Sequence, residues 1–222
     1  MQRRKIVGFG RVGTAVAGRL RERGFVLDKG DPELVLLCVP DRSIPEVAAS
    51  IAPGPWIAHT SGATALSALD PHERRFGIHP LQSFTRARGP EQLDGAYAAI
   101  TAESDEAQEV GSWLAGELGL EPFALDDSDR ALYHAGAVVA SNFLVTLHRA
   151  ASELVEAAGA PPEALVPLMR RVIENDFELT GPIERGDWDT VEAHLSAIRE
   201  RKPELEPLYQ ALADATAKVA AR

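Results

Sequence analysis

The sequence predicts an α/β domain, built on a parallel sheet that is shortened after its second strand, followed by an all-helical C-terminal domain. Three observations carry this. Short apolar runs alternate with helix-like segments as far as residue 125; one run, Leu34 to Pro40, is apolar throughout; and from Asp126 the strand-like runs stop and helical periodicity takes over. Strand, helix and strand in repetition read as a parallel sheet covered by helices. A run apolar on both faces is what the centre of such a sheet requires. The expected division is an α/β domain over residues 1–125 and a helical domain over 126–222.

In order, the strand-like runs are Lys5–Phe9, Leu34–Pro40, Trp56–Thr60, Phe76–His79, Tyr97–Thr101 and Glu121–Leu125, with helix-like segments at Thr14–Arg23, Ile44–Ala52 and Ser104–Leu118. Val139, Phe143, Leu147, Leu154 and Ala158 then mark one stripe at spacings of about four and seven, the core face of a helix. That helix is expected from about Asp129 to Ala158, where Gly159 and the Pro161-Pro162 pair stop it. Further helices are expected at Glu163–Glu178, Asp187–Glu200 and Glu204–Ala220, with Asp187 as an N-cap. A rod of some 30 residues is about 45 Å long. So few remaining helices cover it poorly, and the sequence therefore predicts a homodimer through the helical domain.

Charged residues make up 25% and hydrophobic ones 45% of the 222, so disorder is excluded as the dominant state. The net charge of −10 argues against nucleic acid or an anionic membrane as the main partner, because both demand a basic face. The single cysteine, Cys38, forms no internal disulfide, which fits a reducing cytoplasm. No signal-peptide core and no window of about 18 apolar residues is present. His72, His148 and His194 lack metal-ligand spacing, and no metal is expected.

Gly8-Phe9-Gly10-Arg11-Val12-Gly13 spells G-x-G-x-x-G between a strand and a helix. Gly8 allows the tight turn, Gly10 lets backbone approach a pyrophosphate, and Gly13 allows close helix–strand packing, with Arg11 and Val12 completing the loop. The N–H groups opening the next helix hold the anion. An acidic residue about 20 positions on normally binds the adenosine ribose, and Asp28 stands there with Lys29 beside it. Asp28 favours NAD and Lys29 favours NADP, so the choice stays open. Only Lys29 to Glu33 then precede the next strand, too few for a crossover helix. The adenosine pocket is expected to be cut down.

The motifs G-F-G-R-V-G, L-L-C-V-P-D, H-T-S-G, G-I-H-P-L-Q-S-F, Y-H-A-G-A-V-V-A-S-N and G-P-I-E-R-G-D follow in this order over nearly the whole chain. In them the chain resembles the Rossmann-like NAD(P)-dependent oxidoreductases with a C-terminal helical domain, the superfamily of 6-phosphogluconate, prephenate and pyrroline-5-carboxylate dehydrogenases or reductases. It most resembles a branch whose helical domain has no assigned function. The resemblance implies NADP or NAD as cofactor, with Val39 and Pro40 beside it. It also implies that Ser61 orients a reacting oxygen and that His79, in His-Pro at a strand end, faces the substrate.

His134, Ser141 and Asn142 open the long helix. At 100° per residue Ser141 lies about 20° from His134 around the axis and Asn142 about 80°, so all three are expected on one side of a cleft. Related hydroxyacid dehydrogenases place a lysine where this chain has Val138, so His79 or His134 would handle the proton. Arg185 is a candidate for a substrate carboxylate. Each assignment has a bland alternative: a proline-ended strand at 39–40, a Ser-Gly turn at 61, a loop-anchoring histidine at 79, polar pairing at 134–142 and a solvated charge at 185. The expected function is hydride transfer between nicotinamide and a small polar carbonyl, imine or hydroxy acid. The alternative is a catalytically inactive dinucleotide-binding or dimeric assembly protein.

Overall fold

The computed structural model of the protein describes residues 3–27 and 30–221. Asp28 and Lys29 lie outside the described residues. The chain packs as two units, residues 1–140 and 141–222. Residues 126–140, which the sequence reading joined to the helical part, pack in the first unit.

Seven strands form the sheet of the first unit: β1 (Arg3–Val7), β2 (Val26–Leu27), β3 (Leu34–Leu37), β4 (Trp56–His59), β5 (Arg75–Leu81), β6 (Tyr97–Thr101) and β7 (Glu121–Ala124). Their order is β2-β1-β3-β4-β5-β6-β7. Each residue of β3 is buried, the apolar central strand that its sequence called for. Helices α1 (Arg11–Glu22) and α3 (Asp105–Leu118) cover one face through Val16, Ala17, Leu20, Leu114 and Leu118. Helix α2 (Ile44–Ala49) covers the other, with Val35, Leu37 and Ile57 beneath Ile44 and Ala48. Helix α3 has strong stop signals: Ser104 caps it by accepting from Ala107 N at 3.2 Å, and Gly119 ends it in the left-handed region at φ +81°.

The sheet departs from the all-parallel expectation at one joint. β5 and β6 pair antiparallel, Ile78 against Ile100. The segment between them holds a short 3-10 turn, Pro90–Leu93, and no crossover helix, so the chain reverses direction. The second strand is only two residues long and pairs with Arg3 and Arg4. The shortened link beyond it leaves a trough of about 690 Å³, floored by Val7, Val35, Val47 and Ile51.

After α4 (Arg130–Val138) a π-helical turn spans Val139–Phe143, followed by α5 (Leu144–Ala157). The expected long helix is present in extent, but the π turn, with its wider i→i+5 pitch, breaks the 100° periodicity on which the angles of Ser141 and Asn142 rested. The second unit adds α6 (Leu165–Glu174), α7 (Trp188–Arg201) and α8 (Glu206–Ala220). Asp187 caps α7 as expected, accepting from Thr190 N at 3.2 Å. Among the described residues no helix is long and apolar enough to cross a membrane.

Candidate active site

The three glycines of the first loop differ in what their missing side chains make possible. A Cβ on Gly13 would lie 1.9 Å from Gly8 O, and one on Gly8, whose φ is +95°, would lie 2.5 Å from Cys38 O. Both are therefore required by the protein's own packing, one for the turn and one for seating α1. Around a Cβ on Gly10 there is nothing within 4 Å. The protein leaves that position bare for no internal reason. Gly10 also starts α1 without any side-chain cap, so the first N–H groups of the helix have no side-chain acceptor there.

That open glycine borders a void of about 400 Å³ over the carboxyl ends of β1, β3 and β4, which Arg11, Val12, Val39, Pro40, Thr60 and Ser61 also line. In a parallel sheet this is where ligands bind. Of the residues expected at the cofactor, Gly10, Arg11, Val12, Val39 and Pro40 line this void, Gly8 and Gly13 pack against the protein's own backbone, and Asp28 lies outside the described residues. Cys38 lies in the same wall, and burial pushes its thiol up to about 12, so it remains protonated.

Ser61 is buried and fully committed. Its hydroxyl accepts from Ala63 N at 3.2 Å and Thr64 N at 3.0 Å, and lies 2.8 Å from both Asp41 Oδ2 and Thr64 Oγ1. Its one proton serves Asp41 or Thr64, so here Ser61 builds the turn and holds Asp41 at the rim. Next to it Gly62 lets two imidazoles close in: a Cβ there would meet His134 Cδ2 at 2.6 Å and His79 Nε2 at 2.9 Å.

The histidines themselves form a cluster. His79 Nδ1 is 2.8 Å from the Tyr133 hydroxyl, and its ring lies edge-on to those of Tyr133 and His134, at 5.5 and 5.9 Å. Burial, then the neighbouring His134 and Arg130, push His79 down to about 4. Burial pushes Tyr133 up to about 12. At neutral pH both are uncharged, and a single hydrogen bond joins them in either tautomer. Beneath them lies Arg130, 1% exposed, donating to Thr101 Oγ1 at 2.8 Å and to the Ser61 carbonyl, with Asp127 at 3.9 Å. Its guanidinium lies over Gly77, where a Cβ would come within 2.7 Å. Burial and then Arg130 also push His59 down to about 4, so this strand histidine is neutral and packed.

Sequence reasoning missed Tyr133 and Arg130 as members of this cluster. The signal for Tyr133 was its place beside His134. A buried arginine at the start of a helix gives no comparable signal. Ser141 and Asn142 lie in the π turn of the second unit, both exposed, with Ser141 Oγ 3.4 Å from Asn142 Oδ1. Arg185 is exposed on the turn before α7.

The family described as Domain of unknown function (DUF2520) matches residues 96–216, more than half of the chain. The chain belongs to this family. No curated protein sequence matches it significantly. Among solved structures, a Bacteroides fragilis protein provisionally assigned as an NADP oxidoreductase is similar to this DUF2520 chain at TM-score 0.81 and 20% identity over 98% of each chain. An Aspergillus terreus reductive aminase in complex with NADPH and ethyl levulinate follows at 0.68 and 16%, over 98% of this chain and 94% of its own. A Streptococcus pyogenes 1-pyrroline-5-carboxylate reductase matches at 0.63 and 15%, over 98% and 97%. At such identities the likeness establishes a shared fold, a Rossmann-like sheet followed by C-terminal helices.

Proposed function

We propose that the chain is an NAD(P)-dependent oxidoreductase moving hydride between nicotinamide and a small polar carbonyl, imine or hydroxy acid. The observation that carries this is the bare Gly10 facing a void at the strand ends, a few residues from a neutral His79–Tyr133 pair. The structural neighbours support it, among them the reductive aminase that holds NADPH and ethyl levulinate. The backbone of Gly8–Gly13 and the opening of α1 would hold the diphosphate, and Val39, Pro40 and Thr60 would wall the ring end. A bound reduced nicotinamide would supply the hydride for an electrophilic carbon.

The chain's own residues handle the proton. Tyr133, joined to His79 Nδ1, donates to the oxygen or nitrogen as its charge develops, and His79 relays the replacement. Asp41 and Thr60 orient the substrate from the rim, with Ser61 holding Asp41. His134, edge-on to His79, shields the pair. The test is titration with NADPH and NADH, followed by a screen of reduced-cofactor consumption against small keto acids and cyclic imines. Submicromolar to micromolar NADPH binding is expected, with Tyr133→Phe lowering kcat roughly 100-fold and leaving KM nearly unchanged. Absence of binding of either nucleotide would refute the reading. Binding without any turnover would favour the inactive dinucleotide-binding alternative.

The partner we propose is a second copy. Among the described residues of the helical unit only Val191, Leu195, Ile198 and Ala213 are buried apolar side chains, whereas Phe143, Val145, Leu168, Ile173 and Phe177 are each more than half exposed. Apolar surface on that scale marks an interface. Sedimentation velocity is expected to give twice the 23.9 kDa chain mass, shifting to the monomer in Phe143→Asp/Leu168→Asp. A monomeric wild type at micromolar concentration would rule the dimer out.

A further inference from the structure

A second groove runs along the other side of α1. It encloses about 400 Å³, and four of its lining residues are arginines: Arg11 and Arg21 on α1, Arg86 and Arg88 on the loop after β5. With Thr14 and Gly18 between them, the helical pair lies on one helix face, spaced by three, four and three residues, so the groove follows about 15 Å of helix. All four side chains are exposed, and none is in an ion pair among the described residues. The nearby acids are taken elsewhere. Arg19, buried beneath, holds Glu22 at 3.2 Å and Asp94 at 2.7 Å, while Glu91 Oε1 accepts from Gly89 N at 2.9 Å.

The loop is built to keep this arrangement. Buried Gln92 donates to Arg88 O at 2.9 Å and Gly89 O at 3.0 Å, and accepts from Thr85 N at 2.7 Å. The missing side chain of Gly18 lets Pro90 pack directly on α1, since a Cβ there would meet Pro90 Cγ at 2.7 Å. Two rigid walls thus present four like charges to one void, in a chain whose net charge is −10. A bound anion would relieve that repulsion and take charge-assisted hydrogen bonds from the guanidinium groups.

We propose that this groove binds a small polyanion, carrying phosphate groups or clustered carboxylates, as a ligand distinct from the dinucleotide. No residue of β2, where an adenosine ribose would be held, lines it. Gly10 and Arg11 line both this groove and the void at the strand ends, so occupancy of one site is expected to be felt by the other. The inference does not depend on the oxidoreductase reading.

The probe is inorganic triphosphate, titrated calorimetrically into the full chain alone and with saturating NADPH. Wild type is expected to bind at submillimolar concentration, and Arg86→Gln/Arg88→Gln to bind at least about tenfold more weakly with an unchanged circular dichroism spectrum. Arg170→Gln/Arg171→Gln, which removes two charges from α6, is expected to match wild type. Binding that persists beside NADPH supports a separate ligand. Four results would overturn the proposal: no binding at roughly 5 mM, equal loss in both double variants, no loss in Arg86→Gln/Arg88→Gln, or displacement by NADPH, which would give the groove to the dinucleotide's own phosphates. NADPH occupancy is read separately from its fluorescence, so a chain that takes triphosphate but no NADPH counts against the oxidoreductase reading alone.

Discussion

Gly10→Val is expected to abolish dinucleotide binding in a protein that still folds, whereas Gly13→Val is expected to yield little folded protein. The two positions are three residues apart in one motif. At Gly10 the backbone angles, φ −70° and ψ −163°, suit any residue, and an added Cβ meets no atom within 4 Å. The stability change should therefore stay within about 1 kcal/mol, a weaker N-cap offset by a stiffer unfolded chain. The added methyls would instead occupy the space over which a diphosphate must approach backbone N–H groups, and a loss of at least about 100-fold in NADPH affinity, near 3 kcal/mol, is expected. At Gly13 the new Cβ lies 1.9 Å from the Gly8 carbonyl, and only backbone movement relieves the clash. Thermal denaturation and NADPH titration of the two variants separate the roles. Wild-type NADPH affinity in Gly10→Val would show that the void is not a dinucleotide site.

A large effect on stability is also expected at Arg130. Its side chain ties the start of α4 to β6 through Thr101 and to the β4 end through the Ser61 carbonyl. Arg130→Leu keeps bulk but leaves the Thr101 hydroxyl, the Ser61 carbonyl and Asp127 without the cation. Removing one partner of a buried charged network costs roughly 3–5 kcal/mol, which for a chain of this size lowers the melting temperature by about 6–20 °C. Arg130→Lys keeps the charge and loses the fork that reaches two acceptors at once, so an intermediate fall is expected. A melting temperature within a degree or two of wild type in Arg130→Leu would show that the contacts are dispensable. The same substitution removes a charge that depresses His59 and His79, so both imidazoles should titrate at higher pH, a change that proton NMR reads directly.

Much of this was legible from local pattern. The runs at Leu34, Trp56 and Tyr97 became strands because their apolar content matches a sheet buried on both faces, the run at Glu121 became the exposed edge strand, and the glycine loop fell where its spacing placed it. Two things were not legible. The β5–β6 reversal depends on where the 82–96 segment packs, which periodicity does not encode. The polar cluster joins Ser61, just beyond β4, to His79 of β5 and to Arg130, Tyr133 and His134 of α4, up to 73 positions apart, and Arg130 follows the polar run Asp126-Asp127-Ser128-Asp129, which gives no sign of its burial. The π turn shows the limit of angular reasoning on helices: one wide turn is enough to move Ser141 and Asn142 around the axis.

The sheet's margins bear on how the protein stays out of aggregates. One margin is β2, only two residues long, and the other is β7, whose Pro122 pairs with Ala98 and has no N–H to offer on either side. A strand from a neighbouring molecule would find almost no continuous hydrogen-bonding ladder at either margin. Edge-to-edge fibril growth is thereby discouraged, and self-recognition is left to side chains on the helices.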